Sequence, residues 1–370
     1  MSNTQKKNVP ELRFPGFEGE WEEKKLESII KVNSGKDYKH LDKGDIPVYG
    51  TGGYMTSVSE PLSEIDAVGI GRKGTINKPY LLEAPFWTVD TLFYCTPKKE
   101  TDILFILSLF RKINWKVYDE STGVPSLSKQ TINKINRFVP TNKEQQKIGK
   151  FFSKLDRQIE LEEQKLELLQ QQKKGYMQKI FSQELRFKDE NGNDYPEWEN
   201  VMLQKVLKDK TEGIKRGPFG GALKKDIFVE SGYAVYEQRN AIYDISNFRY
   251  YINENKYKEM QSFSVQPNDI IMSCSGTIGR LALIPQNYTK GIINQALIRF
   301  RTNHKIRSEF FLIFMRSNQM QRKILEANPG SAITNLVPVK ELKLIPFPLP
   351  VKFEQDKISQ FILIINRRIE

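Results

Sequence analysis

Apolar positions recur every three to four residues from 144 to 181, across 38 residues that hold no proline and only two glycines, Gly149 and Gly175. At 1.5 Å per residue such a helix would be ~57 Å long. A heptad fits it: with Phe152, Ile159, Leu166, Lys173 and Ile180 at a, the d positions are Ile148, Leu155, Glu162, Leu169 and Tyr176. Eight of these ten are apolar, so the seam predicts a partner helix. Pro140 and Thr141 mark its start, with Glu144 near the positive end of the helix dipole. Elsewhere, short apolar runs broken by Gly, Pro and Asn predict strands: 66–70, 86–95 and 137–140 early in the chain, then 233–238, 269–273, 280–285 and 294–301. Helical periodicity returns at 101–113 and 307–325. The pattern predicts an α+β chain.

The same patterns occur twice. Trp21, Leu26 and Ile29 of GEWEEKKLESII return as Trp198, Leu203 and Val206 of PEWENVMLQKVL, an offset of 177. Gly74-Thr75-Ile76 returns as Gly276-Thr277-Ile278, an offset of 202. VPTNKEQQKIGKFFSKLDRQIE at 139–160 returns without a gap as LPVKFEQDKISQFILIINRRIE at 349–370, an offset of 210. Chance does not give this. The rising offset means that the second copy carries extra residues, most of them before Gly-Thr-Ile. The organisation expected is a globular part at 1–142, a helical region at 143–184, a second globular part at 185–350 and the start of a second helical region at 351–370. The two helices are expected to pair, with the second one short or cut at Glu370.

Charge narrows the partner. Lys and Arg number 57 against 45 Asp and Glu, a net charge of +12, which favours a polyanion, nucleic acid before membrane. The longest apolar run, 310–315, is six residues against the ~18 of a membrane helix. The N-terminal stretch 1–14 shows no apolar core of a secretory signal. With two cysteines 179 positions apart, Cys95 and Cys274, neither a metal knuckle nor a disulfide framework is expected, and a cytoplasmic setting fits.

Catalytic sets are missing. His40 and His304 are the only histidines, no Ser or Cys has a plausible histidine partner, and no H-E-x-x-H or Asn/Asp-Pro-Pro-aromatic motif occurs. Gly69, Gly71 and Gly74 match a dinucleotide fingerprint, but Pro79 and the β-branched Thr75-Ile76 leave no room for the helix that such a site requires. Thr75 also stands where a Walker loop needs lysine.

Contact with nucleic acid is better supplied. The stretch 213–225 mixes cations and glycines with Phe219, and glycine lets backbone approach a ligand that Lys and Arg neutralise. Arg216, Phe219, Lys224 and Lys225 are its candidates. The first copy offers Lys36, Tyr38, Lys39 and Thr51 in a similar mix of glycine, cation and aromatic. The Gly-Thr-Ile turns add Arg72, Lys73 and Thr75, and Ser275, Thr277 and Arg280. Gln238, Arg239 and Asn240 could read bases, since Arg pairs with guanine and Asn or Gln with adenine. A plain hairpin, or a charged solvated loop, competes with each of these readings.

Phe14-Pro15-Gly16-Phe17 with Trp21, the Gly-Thr-Ile turns, Pro140…Glu144-Gln145-Gln146-Lys147-Ile148 and Pro350…Glu354-Gln355-Asp356-Lys357-Ile358 together resemble the specificity (S) subunits of type I restriction–modification systems. The resemblance covers essentially the whole chain. It implies two duplicated target-recognition domains, joined by long helices in an antiparallel coiled coil, each domain reading half of a split site in double-stranded DNA. It further implies no catalysis and no cofactor in this chain. Two modification subunits and the restriction subunits would bring S-adenosylmethionine, ATP and magnesium. A stand-alone methyltransferase or nuclease, and a basic scaffold without sequence preference, are the competing readings.

Overall fold

In the structure, a computed structural model that describes residues 8–219, 221–326 and 338–369, the run expected at 66–70 is a strand, Ala67–Gly71, buried along its whole length. Its alternation feeds two cores. Val68 and Ile70 join one apolar cluster, whereas Ala67 packs with Leu82, Phe86 and Leu92 on the other face. A strand covered on both faces reads as a continuous apolar run, and this one does. Residues 1–7, within the stretch read for a secretory signal, Gly220 in the glycine-basic loop, and Glu370, where the second helix is expected to break off, lie outside the described residues.

The chain forms two units, Met1–Gln164 and Lys165–Glu370. In the first, an antiparallel sheet runs in the order Ile30–Ser34, Leu92–Pro97, Ala67–Gly71, Tyr80–Leu82. A smaller sheet sets the hairpin Gly53–Val58 and Ile46–Gly50 beside Trp87–Thr88, the last pair parallel. Helix Ile103–Lys112, capped by the Asp102 side chain on the Phe105 N–H, lays Phe105, Ile106 and Phe110 on the larger sheet.

The second unit repeats this plan. Its larger sheet runs Ile214–Arg216, Leu297–Phe300, Ile270–Ser273, Leu281–Leu283, again antiparallel. Its smaller sheet carries the same parallel pair, Tyr233–Tyr236 with Gly291–Ile293. Each unit closes with a two-stranded ladder next to its long helix, Glu22–Lys25 with Asn136–Val139 and Glu199–Met202 with Pro346–Leu349.

The Pro…Glu-Gln signature has a packing origin in both units. Glu144 is buried and takes two hydrogen bonds of 2.7 Å from Arg13, plus one from the Trp21 indole at 3.3 Å. Glu354 is buried likewise, with Arg186 at 3.0 Å and the Trp198 indole at 2.9 Å. Gln145 and Gln355 each donate back to the proline carbonyl that opens the helix, Pro140 and Pro350. Their own carbonyls accept from Asp102 N–H and Arg307 N–H, at the start of the helix on the sheet. The root of each long helix is thus tied to its unit by paired, desolvated groups.

The central helix spans Asn142–Phe181 and the C-terminal helix Lys352–Ile369. Over its middle the predicted seam is open to solvent, with Phe152 45% and Ile159 59% exposed. At its end Ile180 is buried, Met177 and Phe181 pack in a core shared with Ile358 and Ile362, and the Tyr176 ring meets Phe361 edge-on at 5.1 Å. Within the second unit, then, the two helices do pair.

Candidate nucleic-acid interface

One short turn organises each unit. The run expected as a single strand at 86–95 is two, Trp87–Thr88 and Leu92–Pro97, separated by Val89-Asp90-Thr91. In the second copy the strand expected at 294–301 begins at Leu297, and Asn294-Gln295-Ala296 forms the matching turn. Their backbone partners correspond one for one. Val89 N–H donates to Tyr49 C=O at 3.0 Å and Asn294 N–H to Tyr236 C=O at 2.9 Å. Gly35 N–H donates to Leu92 C=O at 3.1 Å and Gly217 N–H to Leu297 C=O at 2.9 Å. Thr91 C=O accepts from Arg72 N–H, and Ala296 C=O from Cys274 N–H, both at 2.8 Å.

Two glycines make this frame possible. A Cβ on Gly35 would lie 2.0 Å from the Val89 carbonyl oxygen, and one on Gly217 would lie 1.8 Å from that of Asn294. Both contacts are with backbone, so no side chain could move aside to relieve them. The glycine signal in each basic stretch therefore marks close packing of backbone on the turn.

Most candidate residues gather around these turns. In the first unit, Lys36 follows Gly35 and donates its N–H to Thr88 C=O at 2.8 Å, while Arg72 and Lys73 both hydrogen-bond Thr91 C=O through their backbone. Arg72 also reaches the Asp90 carbonyl with its guanidinium at 3.4 Å. Thr51 sits at the tip of the hairpin that holds Tyr49, and Thr75 follows Gly74 in the turn beyond Arg72. Lys39 is exposed beside the same small sheet. In the second unit a cleft of about 500 Å³ is lined by Gln238, Arg239, Tyr243, Arg249, Thr277 and Asn294. A neighbouring depression of about 280 Å³ is lined by Arg216, Phe219, Ser275 and Gln295, and the two share Ala296. Phe219 is 80% exposed, with the Arg216 guanidinium 5.8 Å from its ring centre.

One candidate is corrected, and others lie away from the turns. Asn240 is buried: its carbonyl oxygen accepts from Glu237 N–H at 2.8 Å and its amide donates to the carbonyls of Ile245 and Asn247. That amide caps helix Gln238–Tyr243 and has nothing left for a base. The Tyr38 ring packs against Val48, Val58 and Trp87 at the edge of a small core and is half-buried. Lys224, Lys225 and Arg280 are exposed but line neither depression.

Glu237 is held by Arg249 at 2.6 and 2.9 Å, and these bonds raise the Arg249 pKa above its ordinary value. Burial pushes the Cys274 thiol up, with Arg216 opposing the shift. Tyr243, Arg249, Asn294 and Gln295 were not legible as site residues from their own neighbourhoods. The internal repeat carries the missing signal, since the offset between Val89 and Asn294 is 205, between those of the Gly-Thr-Ile and Glu-Gln elements.

A duplicated α+β unit, each copy ending in a long helix and presenting a cation-rimmed turn, defines a two-module recognition protein. The sequence matches the family model of the type I restriction modification DNA specificity domain twice, at 18–171 and 219–370, and the chain belongs to that family. It is 24% identical over 327 residues to the type I restriction enzyme MjaVIII specificity subunit of Methanocaldococcus jannaschii, covering 83% of this chain and 71% of that protein. A sequence carrying the MjaX specificity-subunit name from the same organism is 26% identical over 276 residues, but the chain spans only 61% of its length. Among solved structures, the S subunit of the M. genitalium type I restriction-modification system is similar with a TM-score of 0.63 at 14% identity, over 98% of this chain and 93% of that one. A chain from a structural study of assembly and conformational transition of the type I system gives 0.55 at 13% identity, over 97% and 92%. These likenesses show the fold: α+β, with two duplicated target-recognition domains and long helices consistent with the coiled coil of S subunits.

Proposed function

We propose that this chain is the sequence-specific DNA-recognition subunit of a type I restriction–modification complex, each unit reading one half of a split target. The carrying observation is the matched turn: two copies of one backbone frame present different polar side chains on a cation-rimmed surface. The net charge of +12 supports a polyanionic partner. Modification and restriction subunits would dock on the helical regions and supply adenine methylation and cleavage. S-adenosylmethionine, ATP and magnesium would belong to those partners. The reading of this chain as non-catalytic rests on its want of any acid/base, nucleophile or methyltransferase motif in sequence.

The test is an exchange of modules. Replacing residues 185–350 with the corresponding part of another family member, and mapping methylated adenines in DNA exposed to the assembled complex, should change one half of the target and leave the other intact. A change in both halves together would sink the two-module reading.

A further inference from the structure

We infer that Asp90 and Gln295 occupy one equivalent base-reading position in the two units, Gln295 selecting adenine and Asp90 cytosine in their respective half-sites. The inference rests on the DNA-recognition reading and goes beyond it in naming the residues and the bases. Each is the central residue of its three-residue turn, between Val89 and Thr91 or between Asn294 and Ala296. The flanking hydrogen bonds are the same in both units, so the two side chains leave the same backbone frame at the same point. The frame is stiff, because Leu92 N–H closes on Val89 C=O at 3.0 Å and Leu297 N–H on Asn294 C=O at 3.1 Å, with a glycine packed against each turn.

Both residues are exposed. Among the described residues no hydrogen bond or ion pair engages either side chain, whereas Glu237 and Asn240, equally suited to bases by chemistry, are consumed by the fold. Two modules built on one frame must differ where they read, and here they differ in chemistry as well as in residue. A glutamine amide offers a donor and an acceptor side by side, which matches N7 and N6 of adenine; a carboxylate only accepts, which matches the N4 amino group of cytosine. A carboxylate near DNA needs its charge offset. Arg72, which touches the Asp90 carbonyl, and Lys73 supply that in the first unit. The matching positions of the second unit are the neutral Cys274 and Ser275.

The experiment is selection of bound DNA from a randomised library by the full-length chain in its assembled complex, for the wild type and for Asp90→Ala, Gln295→Ala and the isosteric Gln295→Glu. Gln295→Ala should relax one A·T position in one half-site by on the order of 10- to 100-fold, and Asp90→Ala one C·G position in the other half. Gln295→Glu, which keeps the side-chain shape, should trade the A·T preference for C·G at the same position. Unchanged base preferences in all three variants, or a uniform loss across all sequences, would overturn the assignment while leaving DNA recognition standing. A wild-type complex that selects no sequence at all would bring down both.

Discussion

At Asn240 the whole side-chain amide is spoken for by the turn that follows its helix, and the residue two positions before it, Gln238, lines the open cleft. Sequence alone could not separate them. Gln-Arg-Asn reads as three base-recognition residues, but helical geometry sends its members in different directions, and only burial decides which one is spent. Asn240→Ala is expected to destabilise the protein by ~1–3 kcal/mol, because the Ile245 and Asn247 carbonyls and the Glu237 N–H lose their partner. Chemical denaturation measures this, and the base preference of the folded variant should match the wild type. Cys95 and Cys274 are both buried, with thiol pKa values raised by desolvation. A raised thiol pKa leaves less thiolate at pH 8, so the native protein should resist thiol reagents, and both cysteines should react once it is unfolded. Labelling followed by mass measurement reads the count.

Among the elements, the inner strands of the larger sheets, Ala67–Gly71, Leu92–Pro97, Ile270–Ser273 and Leu297–Phe300, were legible because their apolar runs are continuous, whereas the edge strands Ile30–Ser34, Tyr80–Leu82 and Ile214–Arg216 were not. Turns inside such runs were not. Neither Val89-Asp90-Thr91 nor Asn294-Gln295-Ala296 contains Gly or Pro, and backbone hydrogen bonds from distant residues hold both. The helical stretch at 307–325 likewise divides into Ser308–Met315 and Asn318–Glu326, because Ser317 accepts from Met320 N–H and starts a new helix where the pattern suggested one. Arg299 shares a strand face with the buried Leu297, is itself buried and donates to Ser264 C=O, and burial lowers its pKa. Gly217→Ala tests the frame. With backbone only 1.8 Å from the added carbon, the turn at Asn294 has to shift, and specific DNA binding in the second half-site should be lost while the first half-site is still read. Site selection on the two halves separately shows this; retained reading of both would mean that the turn is not the recognition element.

On the scale of the whole molecule, the duplication and the long helix were both visible in sequence, because a gapless repeat and a heptad survive without knowledge of contacts. If the central helix sets the gap between half-sites, a heptad inserted near Gln170 should keep the seam in phase and add ~10.5 Å. That corresponds to roughly three base pairs of spacer. The same three base pairs turn the second half-site by about 100°, so affinity should drop even where the spacing is matched. Selection from a library with fixed half-sites and variable spacers measures the preference. An unchanged preferred spacer in a folded variant would rule the helix out as the determinant of distance.

The buried attachments at Glu144 and Glu354 give these helices a mechanical property that length does not. A helix clamped at its root is a lever arm. Over 40 residues, about 60 Å, a tilt of about 5° at the root moves the far end by about 5 Å. One base-pair step is only about 3.4 Å. If the helix sets the gap, the angular stiffness of a desolvated Arg–Glu–Trp joint would then govern how sharply one gap between half-sites is preferred over the next.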